Sequence, residues 1–164
     1  MNLDILLRET EKIKNHRDLL WRVVDSYEKI IIIGNGGSNS ISSHIAQDYT
    51  KELDRKAICF SDPSRLTCYI NDYGRDWAYC EFLKDFAEKD TLVILISSSG
   101  NSMNIVNAAT WCEQNDIEYC ALSGFDKNNK LNSMNSKCKF WVDSTDYGIV
   151  ECTHQAYLHS ILGE

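Results

Sequence analysis

Four side chains able to hold a proton or a cation stand at helical spacings in this 164-residue chain. His44 and Asp48 are at i and i+4, so a helix places them on one face, where both can reach a single ion or a single substrate. Glu151 and His159 are eight residues apart, about 80° around a helix of 3.6 residues per turn, and share a stripe with Gln155 between them. His154 points well away from His159. Imidazole nitrogens together with carboxylates suit zinc, and an open coordination position would admit a substrate carbonyl and hydroxyl. His44, Asp48, Glu151 and His159 are thus the expected ligands of zinc or another divalent metal.

Two turns of small residues could hold a different part of a substrate. GNGGS spans 34–38 and SSSGNS spans 97–102, each between an apolar run and a stretch of helical spacing. Glycine there permits positive φ and close approach of a ligand, while backbone N–H groups and hydroxyls at a helix N-terminus cradle an anion. Phosphate is the natural guest, held by Ser97, Ser98, Ser99 and Ser102 through neutral hydrogen bonds and approached by Asn35, Gly36 and Ser38 from the other turn. Neither turn is a nucleotide motif: GxxxxGK[ST] is absent, and Asn39 occupies the last glycine position of GxGxxG. A simple capping role for either turn alone is the competing explanation.

These residues need a frame that brings strand ends and helix starts together. Apolar runs rich in β-branched and aromatic residues occupy 28–34, 56–60, 91–97, 117–123 and 138–143 and predict five buried strands. Helical spacing covers about 39–52, 75–88 and 102–115, with an opening helix from Asn2 to Ser26 and a closing one from about Ile149. The stretch SDPSRL, with the only proline, reads as a loop after the second strand. Strands apolar throughout, alternating with helices, predict a parallel sheet covered on both faces: a three-layer α/β sandwich. In such a sheet ligands bind beyond the carboxyl ends of the strands, where both small-residue turns fall.

Composition bounds the function classes. With 43% hydrophobic and 25% charged residues the chain is expected to form one domain over residues 1–164, of which 1–28 would be a helical segment making oligomer contacts. A net charge of −7 without a basic cluster argues against nucleic-acid binding. The longest apolar run is far short of the ~20 residues that span a bilayer, and the opening residues lack a leader pattern, so no membrane association and a cytoplasmic location are expected. The seven cysteines are odd in number and show no CxxC pair, which predicts buried, reduced thiols rather than disulfides or a zinc ribbon. Trp21, Trp77, Trp111 and Trp141 are expected in core or interface positions.

GNGGS followed by His44, NDYG at 71–74, ISSSGNS at 96–102 and a histidine-bearing last helix together resemble the SIS (sugar isomerase) domain, specifically the phosphoheptose isomerase family. The resemblance runs from about Ile30 onward. It implies a five-stranded parallel α/β sandwich, a homotetramer with active sites at subunit interfaces, and zinc held by residues of the first and last helices. It also implies isomerisation of sedoheptulose 7-phosphate to D-glycero-D-manno-heptose 7-phosphate, for lipopolysaccharide or capsule synthesis. Carried over by position, Asp48 abstracts the carbon-bound proton, His159 shuttles the other, and Asp72 contacts a substrate hydroxyl or merely forms a turn. Asp48 stands where the family has Glu, Glu151 where it has Gln, and Gly148 where it has Asp, with Asp146 nearby. Because Asp is one methylene shorter than Glu, Glu151 is expected to share or take over the base role. The N-terminal region and the tail after His159 are shorter than in the family, so tetramer contacts are expected to differ. The alternatives are a non-catalytic phosphosugar-binding module that regulates a protein partner, and an isomerase of another sugar phosphate.

Overall fold

The computed structural model describes residues 1–163. Its sheet contains β1 (Lys29–Gly34), β2 (Lys56–Cys59), β3 (Thr91–Ser97), β4 (Tyr119–Ser123) and β5 (Cys138–Trp141), all parallel, in the order β2-β1-β3-β4-β5. Helices cover both faces, so the expected three-layer α/β sandwich is the fold observed. From β1 the chain moves outward to β2, then crosses back to lay β3 on the other side of β1. That reversal opens a crevice beyond the carboxyl ends of β1 and β3, where Gly34 pairs with Ile96. The two small-residue turns both emerge there.

The isoleucine run explains how the sheet is held. Side chains alternate across a strand, so Ile30 and Ile32 enter one apolar layer and Ile31 and Ile33 the other. On the first face lie α1 (Leu3–Glu11), α2 (Ile13–Asp25), α3 (Gly37–Glu52) and α8 (Tyr147–His159). The second is covered by α4 (Pro63–Tyr73), α5 (Ala78–Phe86), α6 (Met103–Gln114) and the short α7 (Lys130–Ser133). Burial of each isoleucine is worth roughly 1.5–3 kcal/mol, which is why a run apolar on both faces is stable only when sandwiched. Because α3 and α8 share a face, Tyr49 Oη of α3 donates to the Leu158 carbonyl of α8 at 2.9 Å and fixes the two helices side by side.

The structure corrects the expected elements at three points. The opening helix is two helices with a break at Lys12. SDPSRL is the start of α4 rather than a loop: Asp62 caps the helix by accepting from Arg65 N at 2.8 Å, and Pro63 occupies its first turn, where no donor is lost. NDYG is therefore the end of a helix, closed by Gly74 at φ 78°. All seven cysteines are unpaired, but only Cys80, Cys112, Cys120 and Cys138 are buried; Cys68 and Cys152 lie at the surface. Trp21 and Trp77 are likewise exposed. Among the described residues no helix is long and apolar enough to cross a membrane.

The bend at Lys12 is organised by Glu9, a fully buried carboxylate. It accepts from Arg8 Nε at 2.9 Å, from Lys12 Nζ and from the backbone N–H of Asp143 at 2.8 Å, tying the opening helices to the segment after β5. Desolvation pushes its pKa up, but the hydrogen bonds from Lys12, Asp143 and Arg8 prevail and hold it below the ordinary value of 4.5. Glu9→Gln is expected to destabilise the fold by about 2 kcal/mol, since it leaves buried donors under-satisfied. With the folded pKa depressed, the stabilisation is present above pH 4.5 and lost as pH falls through the folded value. Urea denaturation of both proteins should show the difference at pH 7 and its disappearance in acid.

Candidate active site

The first half of the site is a cradle of hydroxyls at the crevice. A cavity of about 240 Å³ is walled by Asn35, Gly36, Gly37, Ser38, Ser97, Ser98, Ser99 and Ser102, joined by Tyr147 and Glu151 from α8. The N-termini of α3 and α6 both open on it, so two sets of unpaired backbone N–H groups and two helix dipoles favour an anion there. Ser97 and Ser98 are buried and their hydroxyls have no partner within the protein. Ser102 sits at the N-cap of α6 without making a capping bond, which leaves its hydroxyl free as well. Buried hydroxyls without partners are costly unless a ligand supplies them. The lining holds no Lys or Arg.

Backbone geometry explains the glycines. Gly36 has φ 53°, a conformation that L side chains rarely adopt, although a Cβ would meet nothing within 4 Å. Gly37 is needed for space, because a Cβ there would lie 2.4 Å from Glu151 Oε2. Asn35 lines the cavity, yet its amide is already engaged: Nδ2 donates to Asn104 Oδ1 at 3.0 Å and Oδ1 accepts from Asn104 Nδ2 at 2.8 Å. Tyr79 Oη lies 2.9 Å from that same Oδ1 and from the Gly34 carbonyl. Asn35 thus braces the first turn against the start of α6, while its place in the lining and its second Nδ2 hydrogen stay open to the ligand contact expected of it. Asn104 and Tyr79, which sequence reasoning missed, complete the brace.

The second half is a cluster of two imidazoles and a carboxylate. His44 Nε2 and His159 Nε2 lie 3.1 and 3.0 Å from one oxygen, Asp48 Oδ2, and the rings meet edge to face with centroids 5.0 Å apart. Asp48 Oδ1 makes no hydrogen bond among the described residues. Ligand atoms of all three residues fall within 4.8 Å of one another. Two imidazole nitrogens and a carboxylate oxygen at this separation fit a divalent cation of the zinc type. His44 also borders an open cavity of about 670 Å³ along α3, walled by Ser40, Ser43 and Gln47, which shares Gly36 with the cradle.

Glu151 does not join the cluster as expected. It shares a stripe of α8 with His159, but eight residues of helical rise separate the two by about 12 Å along the axis. Its carboxylate faces Gly37 and the serines instead, and burial pushes its pKa above the ordinary 4.5. Gln155, midway along the stripe, places Nε2 3.3 Å from His44 Nδ1. One stripe of α8 therefore runs from the anion cradle at Glu151 to the cluster at His159.

The remaining candidates lie elsewhere. Asp72 is on the last turn of α4, beside Asn71 Nδ2 at 2.9 Å and Cys68 Sγ at 3.5 Å, and borders neither cavity. Asp146 caps α8 by accepting from Gly148 and Ile149, and these bonds keep its carboxyl below the usual range. His154 is wholly buried, with Nε2 3.0 Å from the Ser123 carbonyl; desolvation lowers its pKa to about 4, so it is a neutral core residue.

A sheet reversal is thus flanked by two small-residue turns, with hydroxyls on one side and a His/Asp/His group on the other. Residues 3–124 match the SIS domain. A phosphoheptose isomerase of Fusobacterium nucleatum is 30% identical over 160 residues, covering 94% of this chain and 80% of that protein. One from Glaesserella parasuis is 28% identical over 132 residues, covering 76% and 69%. The solved phosphoheptose isomerases of Neisseria gonorrhoeae and Francisella tularensis share the fold with TM-scores of 0.85 and 0.82 at 22% and 19% identity, each over 97% of this chain and 90% and 91% of theirs. The chain belongs to the phosphoheptose isomerase family of SIS-domain proteins.

Proposed function

We propose that this phosphosugar isomerase interconverts sedoheptulose 7-phosphate and D-glycero-D-manno-heptose 7-phosphate through an enediol, with its product destined for surface polysaccharide. The observation that carries the reading is the pairing of the unpartnered buried serines Ser97 and Ser98, in the turn between β3 and α6, with the Asp48/His159 couple, joined by one stripe of α8. Hydroxyls of Ser97, Ser98 and Ser102 donate to the phosphate, as do backbone N–H groups at the start of α3, and these contacts fix the far end of the sugar. The chain then extends toward the cluster.

Asp48 Oδ1, free of hydrogen bonds, takes a proton from C1, which exchanges with solvent on the carboxyl, and delivers one to C2. His159 gives a proton to O2 as the enediol forms and takes the O1 proton as the new aldehyde appears, so the imidazole is restored and no atom is gained or lost. Positioned acid and base groups typically contribute about 10² to 10⁴-fold each. A divalent cation held by His44, Asp48 and His159 would polarise the carbonyl. Glu151 faces the cradle, which supports Asp48 as the base.

Assembly into a homo-oligomer, with tetramer favoured, is supported by exposed Leu3, Leu7, Leu19 and Trp21 on helices whose other faces enter the core. The test is a proton NMR time course with sedoheptulose 7-phosphate and zinc-loaded protein in deuterated water. New aldose signals with loss of the C1 proton to solvent are expected. Exchange without product would point to another sugar phosphate. Neither signal, from folded protein, would overturn the enzyme reading in favour of a phosphosugar-binding module.

A further inference from the structure

We infer that Gln155 partners Nδ1 of His44 in either ring tautomer and thereby tunes the affinity of the His44/Asp48/His159 cluster for a divalent cation; this rests on reading that cluster as a cation centre. Gln155 Nε2 is 3.3 Å from His44 Nδ1, and His44 Nε2 is 3.1 Å from Asp48 Oδ2. A carboxylate oxygen only accepts, so the neutral ring carries its proton on Nε2 and leaves a lone pair on Nδ1. The Gln155 amide N–H donates to that lone pair. Without a cation the cluster is thus a chain of donations from Gln155 through His44 to Asp48, with His159 donating to the same oxygen.

For His44 Nε2 to bind a cation, its lone pair must lie there and the ring proton must move to Nδ1. Nδ1–H then requires an acceptor, and a half-turn of the Gln155 amide presents Oε1 at the same place. Glutamine serves both tautomers from one position. Leucine serves neither, and glutamate accepts only, which favours the tautomer that frees Nε2.

The test uses ¹⁵N-labelled protein at pH 8, above the ordinary imidazole range, with His44 identified by the signal lost in His44→Asn. Long-range ¹H–¹⁵N spectra of the metal-free protein should show an unprotonated Nδ1, and zinc should exchange the roles of the two nitrogens. Gln155→Leu should shift the His44 Nδ1 signal, whose hydrogen-bond partner is gone, and weaken zinc binding 10- to 100-fold by calorimetry, the range typical of groups that orient a metal ligand. Gln155→Glu should tighten it. Gln155 is half-buried on the helix surface, and circular dichroism checks that both variants fold. Wild-type zinc affinity and unchanged ring signals in Gln155→Leu would overturn the inference. If zinc fails to bind even the unmutated protein while the metal-free His44 Nδ1 signal still shifts in Gln155→Leu, the cation reading falls and the positioning role stands.

Discussion

Asp48→Asn should lower kcat by about 10³-fold or more while leaving the KM for the sugar phosphate within a few-fold. The carboxylate is asked for two things at once: Oδ1 accepts the carbon-bound proton, and Oδ2 receives both imidazole Nε2 atoms at 3.0 and 3.1 Å. The amide cannot take a proton at neutral pH, and one of its two ends would present N–H groups to rings that are themselves donors. Loss of a positioned base alone accounts for about 10² to 10⁴-fold. The phosphate cradle is built by other residues, so ground-state binding survives, and a kcat loss without a KM change is the signature of an interaction used in the transition state. Steady-state kinetics on the folded variant checks this, and zinc calorimetry should show weakened binding in parallel. A KM rise with kcat intact would place Asp48 in substrate binding and leave the base unassigned.

What the sequence discloses and what it conceals follow from different physics. Strands buried on both faces leave a continuous apolar run, so Ile30 to Ile33 and Leu92 to Ile96 announce the parallel sheet, and the turns that follow them announce the crevice. Angular position on a helix is equally legible, which is why His44, Asp48 and His159 could be brought together before any coordinates. Axial position is not carried by a helical wheel, and Glu151 was misplaced for that reason. The α4 start was written in Asp62 and Pro63, signals that a reading of SDPSRL as a loop passed over. Asn35 shows a further limit. An amide beside a ligand turn looks like a ligand contact, and only the partner Asn104, 69 residues on, reveals that it also braces the start of α6.

Glu151→Gln should tighten binding of inorganic phosphate at pH 8 by about tenfold or more, and the gain should vanish in acid. Glu151 shares the cavity with the serine hydroxyls and brings the only carboxylate among its lining residues. An ionised carboxylate beside a phosphate is a like-charge contact; at 4 Å it would cost about 4 kcal/mol at an effective dielectric near 20, and partial exposure reduces that. Tenfold, about 1.4 kcal/mol, is the discounted expectation. The sign with pH is set by the direction of the shift. Burial raises the carboxyl above 4.5, so below that value Glu151 is neutral and glutamine changes little; as pH rises through the raised pKa the charge appears and phosphate binding to the wild type weakens. The anion's own second ionisation acts on both proteins, so the change in the ratio of their affinities, rather than either affinity alone, reports Glu151. Calorimetric titrations between pH 5 and 8 should trace that ratio upward with pH, whereas parallel curves would mean that the carboxylate swings clear of the anion. The same variant separates the two carboxylates in catalysis: kcat within a few-fold of wild type is expected if Asp48 is the base, and a 10³-fold loss would transfer that role to Glu151.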